Sequence, residues 1–188
     1  MTDKAISNET VIVFGASGFL GSHVADALSA AGYQVRLFDR SPSPYLKNNQ
    51  EMIVGDIMDL DQVIAATKGA SIVYNFAAIA DIDEAHNKPI ATATINVLGN
   101  MHVLEAARIA GARRFVFASS IYVYSESGSF YRASKQAAER FTETYHDRYG
   151  LEYNILRYGS LYGRRADKRN GIYRMLHEAV EQHSVTYK

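Results

Sequence analysis

The sequence predicts an α/β domain built on a doubly wound parallel sheet with helices on both faces. Apolar runs of strand length alternate with amphipathic stretches of helix length along the chain, the pattern that parallel strands joined by right-handed crossovers produce. The first run, Val11-Ile12-Val13-Phe14, breaks into three evenly spaced glycines, Gly15, Gly18 and Gly21, and resumes as a helix-like stretch over residues 22–28. The second run closes on an acid, Asp39, about twenty positions after the glycine turn.

In order, residues 11–14 are a buried strand, and the glycines turn it into a helix that Gly32 ends. Residues 33–38 form the second strand. Ser41-Pro42-Ser43-Pro44 is a turn, because each proline forces its predecessor away from helical geometry. Residues 51–56 read as a short third strand. Asp59 with Gln62 reads as a capping box, opening a helix that ends at Gly69. Residues 71–76, nearly continuous in apolar side chains, suit a strand covered on both faces. A long helix is predicted over about residues 89–110, with Val97, Met101 and Leu104 at helical spacing and Gly111 as its stop. Residues 115–118 make the fifth strand, a helix spans 131–149 before Gly150, and 152–157 make the sixth strand. Residues 170–182 form a last amphipathic helix.

Bulk properties bound the function. The 188 residues suffice for one full core, so a single domain over 1–188 is expected. Twenty Lys and Arg balance twenty Asp and Glu, and no field favours nucleic acid or an anionic membrane. Arg164-Arg165 and Lys168-Arg169 read as a solvated loop. With no cysteine there is no disulfide, thiolate nucleophile or sulfur-ligated metal, and the six histidines form no metal-binding spacing. The polar opening, residues 1–8, is neither a secretion signal nor a transit peptide, and no run is long enough to span a membrane, so the cytoplasm is the expected location.

A glycine turn before a helix presents backbone N–H groups without intrahelical partners, and the helix dipole adds to their pull on a phosphate. A side chain at Gly15 or Gly18 would hold a pyrophosphate off the backbone, and one at Gly21 would hold the helix off the strand. The G-x-x-G-x-x-G spacing also fits a glycine-rich turn with no ligand. Asp39 favours a dinucleotide: a carboxylate at that strand end accepts hydrogen bonds from an adenosine ribose and repels a 2′-phosphate, so NAD is expected over NADP. Arg40 offsets part of that repulsion.

The second informative stretch is Tyr131-Arg132-Ala133-Ser134-Lys135, preceded at a strand end by Ser119-Ser120. Tyr131 and Lys135 share a helix face, and a neighbouring ammonium lowers the pKa of a phenol. A serine hydroxyl holds the substrate oxygen while Tyr131 takes its proton and a hydride leaves for a nicotinamide. By itself the spacing also fits an ordinary amphipathic helix.

These stretches, with Asp56-Ile57, Asn75-Phe76-Ala77-Ala78, Asn96-Val97-Leu98-Gly99 and Ser119-Ser120-Ile121-Tyr122-Val123-Tyr124, together resemble the extended short-chain dehydrogenase/reductases. More narrowly, they resemble the NAD-dependent nucleotide-sugar epimerase/dehydratase family, from about Val11 to Tyr173. The resemblance implies a Rossmann-type sheet with Gly15, Ser17, Gly18, Phe19, Leu20 and Gly21 around the pyrophosphate. It places Asp39 and Arg40 at the adenosine ribose, Asp56 and Ile57 at the adenine, and Phe76, Ala77, Ala78, Asn96 and Tyr158 along the cofactor cleft. Ser120, Tyr131 and Lys135 match the catalytic set, and Tyr131 and Lys135 also meet the cofactor. The implied substrate is a nucleotide sugar and the implied assembly a homodimer, for which Ala137, Ala138, Phe141 and Tyr145 offer apolar surface if they are not core.

Departures from the family pattern narrow the chemistry. Sugar dehydratases follow the catalytic hydroxyl residue with an Asp-Glu pair, and here Ile121 and Tyr122 take those places, favouring a 4-epimerase or a simple oxidoreductase, with a nucleotide-sugar dehydratase or reductase as an alternative. Only residues 125–130 separate Tyr124 from Tyr131, which opens that side of the pocket, and Ser160 replaces a sugar-contacting Asn. Family enzymes continue into a substrate lobe that this chain largely lacks, residues 170–188 being its expected beginning. The expected piece is therefore the cofactor domain of a longer enzyme, with a catalytically inactive NAD sensor or assembly module as the alternative.

Overall fold

The structure, a computed structural model, describes residues 9–185; residues 1–8, read above for targeting signals, lie outside that range. Six strands, β1 (Thr10–Phe14), β2 (Gln34–Asp39), β3 (Gln50–Val54), β4 (Ile72–Asn75), β5 (Arg114–Ser120) and β6 (Tyr153–Tyr158), form one sheet. All neighbours run parallel, in the order β3-β2-β1-β4-β5-β6. The order reverses between β1 and β4, so the carboxyl ends of those two strands border the crevice where such sheets take ligands. The helices are α1 (Phe19–Ala30), α2 (Leu60–Thr67), α3 (Ile82–Asn87), α4 (Pro89–Ala93), α5 (Gly99–Ile109), α6 (Ser129–Tyr149) and α7 (Gly171–Gln182).

Strand alternation sorts the core into two faces. Val13, Val35 and Leu37 pack under Ala25 of α1. Ile12, Phe14, Phe38, Phe115 and Phe117 point the other way, onto Val63 of α2, Val103 and Leu104 of α5 and Ala138 of α6. Phe14 and Phe38 meet with ring centroids 4.8 Å apart, and each such buried ring contributes about 2–3 kcal/mol of hydrophobic stabilisation. Asp59 caps α2 as expected: its carboxylate accepts the Gln62 N–H at 3.1 Å and the Gln62 side-chain amide at 2.8 Å. Among the described residues no helix is long and apolar enough to cross a membrane.

Four departures from the sequence expectation have local causes. The third strand ends at Val54 rather than Asp56, where Gly55 packs against the Phe38 ring. Helix α3 was not anticipated; it spans only six residues, too few for a periodic pattern, although Asp81 caps it through the Glu84 N–H at 2.8 Å. The long helix over 89–110 is interrupted by a π-helical turn over Thr94–Leu98. That turn rotates the buried face, so Asn96, Asn100, Val103 and Leu104 point inward while Val97 and Met101 are only half-buried. Helix α6 begins at Ser129, behind Gly128 at φ +101°, two positions before the expected start.

Candidate active site

The glycine turn lies between the ends of β1, β2 and β4. Gly15 has φ +74°, and a Cβ there would fall 2.6 Å from the Ala77 amide nitrogen. Its missing side chain is therefore demanded by the end of β4, whether or not a ligand is bound. A Cβ on Gly21 would strike the Gly15 carbonyl, so Gly21 lets α1 seat on the turn. Gly18 is the open one, with only the Gly15 carbonyl oxygen nearby at 3.3 Å. It also begins α1 without a side-chain cap and without an acid in the first turn, which leaves the positive end of the helix uncompensated. Such a cradle fits a phosphate group.

Asp39 fastens this turn. Its Oδ2 accepts the Ser17 N–H at 2.9 Å, and the Ser17 hydroxyl donates to the Ser41 carbonyl at 2.7 Å. Half of the Asp39 carboxylate and the Ser17 hydroxyl thus already serve the loop. Arg40 is exposed, while Phe19 and Leu20 are half-buried at the start of α1. At the end of β3, Asp56 accepts the Met58 N–H at 2.9 Å, and the Ile57 side chain is buried against Gly99, so Ile57 presents backbone rather than side chain. Phe76 stacks on Tyr74, and Ala77 and Ala78 follow half-buried.

Asn96, expected along the cleft, is held there by protein partners. Its amide donates to the Ile79 carbonyl at 3.0 Å and to the Ser134 hydroxyl at 3.0 Å, and its oxygen accepts the Ile79 N–H at 2.8 Å. With those bonds made and the side chain buried, Asn96 ties the segment after β4 to α6. Asn75 plays a similar part, accepting the Ala77 N–H at 3.1 Å and donating to Asn100 at 2.8 Å.

β5 ends in Ser119 and Ser120, both buried, and α6 brings Tyr131 and Lys135, also buried, to the same place. Ser120 accepts the Tyr122 N–H at 3.3 Å. Burial pushes the Tyr131 phenol above its usual pKa, opposed by a side-chain hydrogen bond with Ser120. Lys135 donates to the Ala118 carbonyl at 2.7 Å and sits 4.8 Å from the Phe117 ring centre and 5.8 Å from that of Tyr131. Burial lowers the Lys135 ammonium to about 8, with the Glu139 carboxylate pulling the other way. The expected lowering of the tyrosine by the lysine is therefore not what this geometry gives: the ammonium is aimed at a strand carbonyl, and burial governs the phenol. Tyr158 lies opposite Ser120 in the β5–β6 register, half-buried, its phenol likewise raised by burial.

Two features went unread in the sequence. Glu139 of α6 and Ser119 of β5, both buried, form a network with the more exposed Arg157 of β6 behind the site; the one charged residue in β6 was the available signal. The loop after β6 is also less solvated than expected. Arg165 pairs with Asp26 of α1 at 2.7 Å and lies 4.3 Å over the Tyr45 ring, and His23 bonds the Arg164 carbonyl at 2.7 Å. The loop and the start of α1 enclose a cavity of about 290 Å³, bordered by Phe19, His23, Leu161 and Gly163.

A parallel sheet in this order, with a glycine turn at its switch point, defines a doubly wound dinucleotide-binding domain. The chain belongs to the NAD dependent epimerase/dehydratase family, whose model matches residues 11–188. It is 32% identical over 189 residues to a UDP-glucose 4-epimerase of Rhizobium meliloti, covering 88% of this chain and 56% of that protein. Among solved structures it is similar to a Thermotoga maritima UDP-glucose 4-epimerase with UDP-glucose (TM-score 0.84, 26% identity, 90% of this chain and 62% of that one). A Thermus thermophilus UDP-glucose 4-epimerase in complex with NAD gives a TM-score of 0.83 at 28% identity, covering 92% of this chain and 63% of that one. The chain spans less than two thirds of the length of the curated relatives it matches.

Proposed function

We propose that the chain is the cofactor domain of an NAD-dependent nucleotide-sugar epimerase, with Ser120, Tyr131 and Lys135 as its catalytic set. The observation that supports this most is the convergence of the buried Ser120 and Tyr131 with the Lys135 ammonium at the end of β5, two strands from the glycine turn. The Gly18, Phe19 and Leu20 amides would hold the pyrophosphate, Asp39 the adenosine ribose, and Asp56 with the Ile57 backbone the adenine. Ala77, Ala78 and Tyr158 would border the nicotinamide end, and Lys135 its ribose. Bound NAD supplies the hydride acceptor. Ser120 positions the sugar hydroxyl, and Tyr131 takes its proton in the oxidative half of the reaction and returns it in the reductive half. Ser120 is the group that favours the phenolate against burial.

Ile121 and Tyr122 follow Ser120 where a dehydratase carries acids, so elimination lacks its proton-transfer groups and epimerisation is favoured. A second reading is an NAD-sensing or assembly module. The two separate in one assay: the enzyme converts a UDP-, dTDP- or GDP-sugar, and the sensor binds NAD without turnover.

Calorimetry tests the cofactor reading. NAD should bind more tightly than NADP, and Asp39→Ala should weaken NAD by about 10–100-fold, because a charged hydrogen bond to the ribose and the Ser17 tether go together. No heat at millimolar NAD would overturn it. A homodimer is proposed through the π-helical turn before α5 and through α6, where Leu98 and Phe141 are exposed while Ala138 belongs to the core. Light scattering at micromolar concentration should give twice the 20.9 kDa chain mass; a mass of one chain rejects the dimer.

A further inference from the structure

Glu139 lies one helical turn beyond Lys135 and, among the described residues, is the one buried carboxylate, 4% exposed. A lone ionised carboxylate in such a place is strongly disfavoured, but this one is clamped. Arg157 of β6 donates Nε to Oε1 at 3.0 Å and Nη2 to Oε2 at 2.8 Å, and the Ser119 hydroxyl donates to Oε1 at 2.5 Å. Arg157 is held in turn by Tyr124, whose hydroxyl bonds Nη1 and whose ring lies 5.0 Å from the guanidinium. Ser119 stands opposite Arg157 in the strand register. It is flanked by Ala118, whose carbonyl takes the Lys135 ammonium, and by Ser120. One carboxylate thus fastens α6, β5 and β6 together where Ser120 and Lys135 leave their elements.

The charges around Lys135 are few. Glu139 and Tyr131 stand on its own helix, Arg157 lies behind Glu139 on β6, and Tyr122 packs edge-on against Tyr131 from the turn after β5. From the π-helical turn comes only the neutral Asn96, by way of Ser134. The buried Lys135 ammonium and the more exposed Arg157 guanidinium therefore share a single anion.

We propose that Glu139 is a positioning residue of the hydride-transfer site: its carboxylate, clamped by Arg157 and Ser119, sets the end of β5 against α6 and is the counter-charge that keeps Lys135 an ammonium. The inference rests on reading Ser120, Tyr131 and Lys135 as the catalytic set. Glu139→Gln keeps the shape of the side chain and removes the charge. Burial of Lys135 is then unopposed, Arg157 adds repulsion, and the ammonium loses its proton at lower pH.

The test is a pH titration of the whole chain followed by NMR of lysine labelled at the ε-carbon, with Lys135 assigned by its loss in Lys135→Arg. The parent midpoint, near 8, should fall by about one unit in Glu139→Gln. Glu139→Asp, which sets the charge back by one methylene, should give a midpoint between the two. A Gln variant that folds with the parent midpoint overturns the proposal; should that variant not fold, an Asp variant with the parent midpoint does so. Calorimetry with NAD on the parent protein reports the cofactor reading independently, so failure of one is not mistaken for failure of the other.

Discussion

Tyr131→Phe is expected to lower kcat by about 10²–10⁴-fold, the range that a positioned proton-transfer group contributes, while NAD affinity and thermal midpoint stay near those of the parent. The ring is buried and packs edge-on against Tyr122 at 6.3 Å, and removing one oxygen leaves that packing in place. What is lost is the hydroxyl that meets Ser120 and the substrate. Because burial raises the phenol's pKa, turnover that needs the phenolate should climb with pH through the alkaline range, and this limb should be missing from the variant's residual rate. Steady-state kinetics with UDP-, dTDP- and GDP-sugars, with absorbance of the reduced nicotinamide followed in single turnovers, measures both. An unchanged kcat would remove Tyr131 from the chemistry.

Gly15→Val should abolish NAD binding and destabilise the fold by about 3 kcal/mol or more. A β-branched residue is poorly suited to φ +74°, and its Cβ would lie 2.6 Å from the Ala77 nitrogen and 2.7 Å from the Phe76 carbonyl carbon. Both obstacles are backbone atoms, which cannot swing aside as a side chain can. Gly18→Ala is the informative contrast. Its Cβ meets only the Gly15 carbonyl oxygen at 3.3 Å, so stability should change by less than about 1 kcal/mol, while NAD binding weakens because the methyl stands where a phosphate approaches the amides. Chemical denaturation and calorimetry on the two variants separate the glycine required by the fold from the glycine required by the ligand. Equal loss of stability in both would remove that distinction.

The strands were legible because each is a short apolar run bounded by glycine, proline or an acid, and burial on both faces leaves little room for another pattern. The glycine turn, Asp39 and the Tyr131–Lys135 pair were legible as spacing. Less was legible where polar atoms do the packing. Asn96 and Asn100 face inward on a helix whose apolar positions suggested Val97 and Met101 instead, because the π-helical turn adds a residue that helical periodicity cannot register. Glu139 and Arg157 sit on different elements; the β5–β6 register sets Arg157 beside Ser119, and the seating of α6 brings Glu139 to both. The direction of the Lys135 ammonium was hidden for the same reason: a spacing of four places two side chains on one face but does not say that a strand carbonyl lies closer than the phenol.

The strand order carries a consequence for how the chain assembles. Apart from the partnership of β1 with β4, every pairing in the sheet joins strands adjacent in sequence, and each of β4, β5 and β6 extends the same edge. A nascent chain leaving the ribosome from its amino end can therefore add these strands one at a time to an edge that already exists. Only one loop closure, spanning β2 and β3, must bring distant partners together, and it creates the switch-point crevice before the segment bearing Tyr131 has been synthesised.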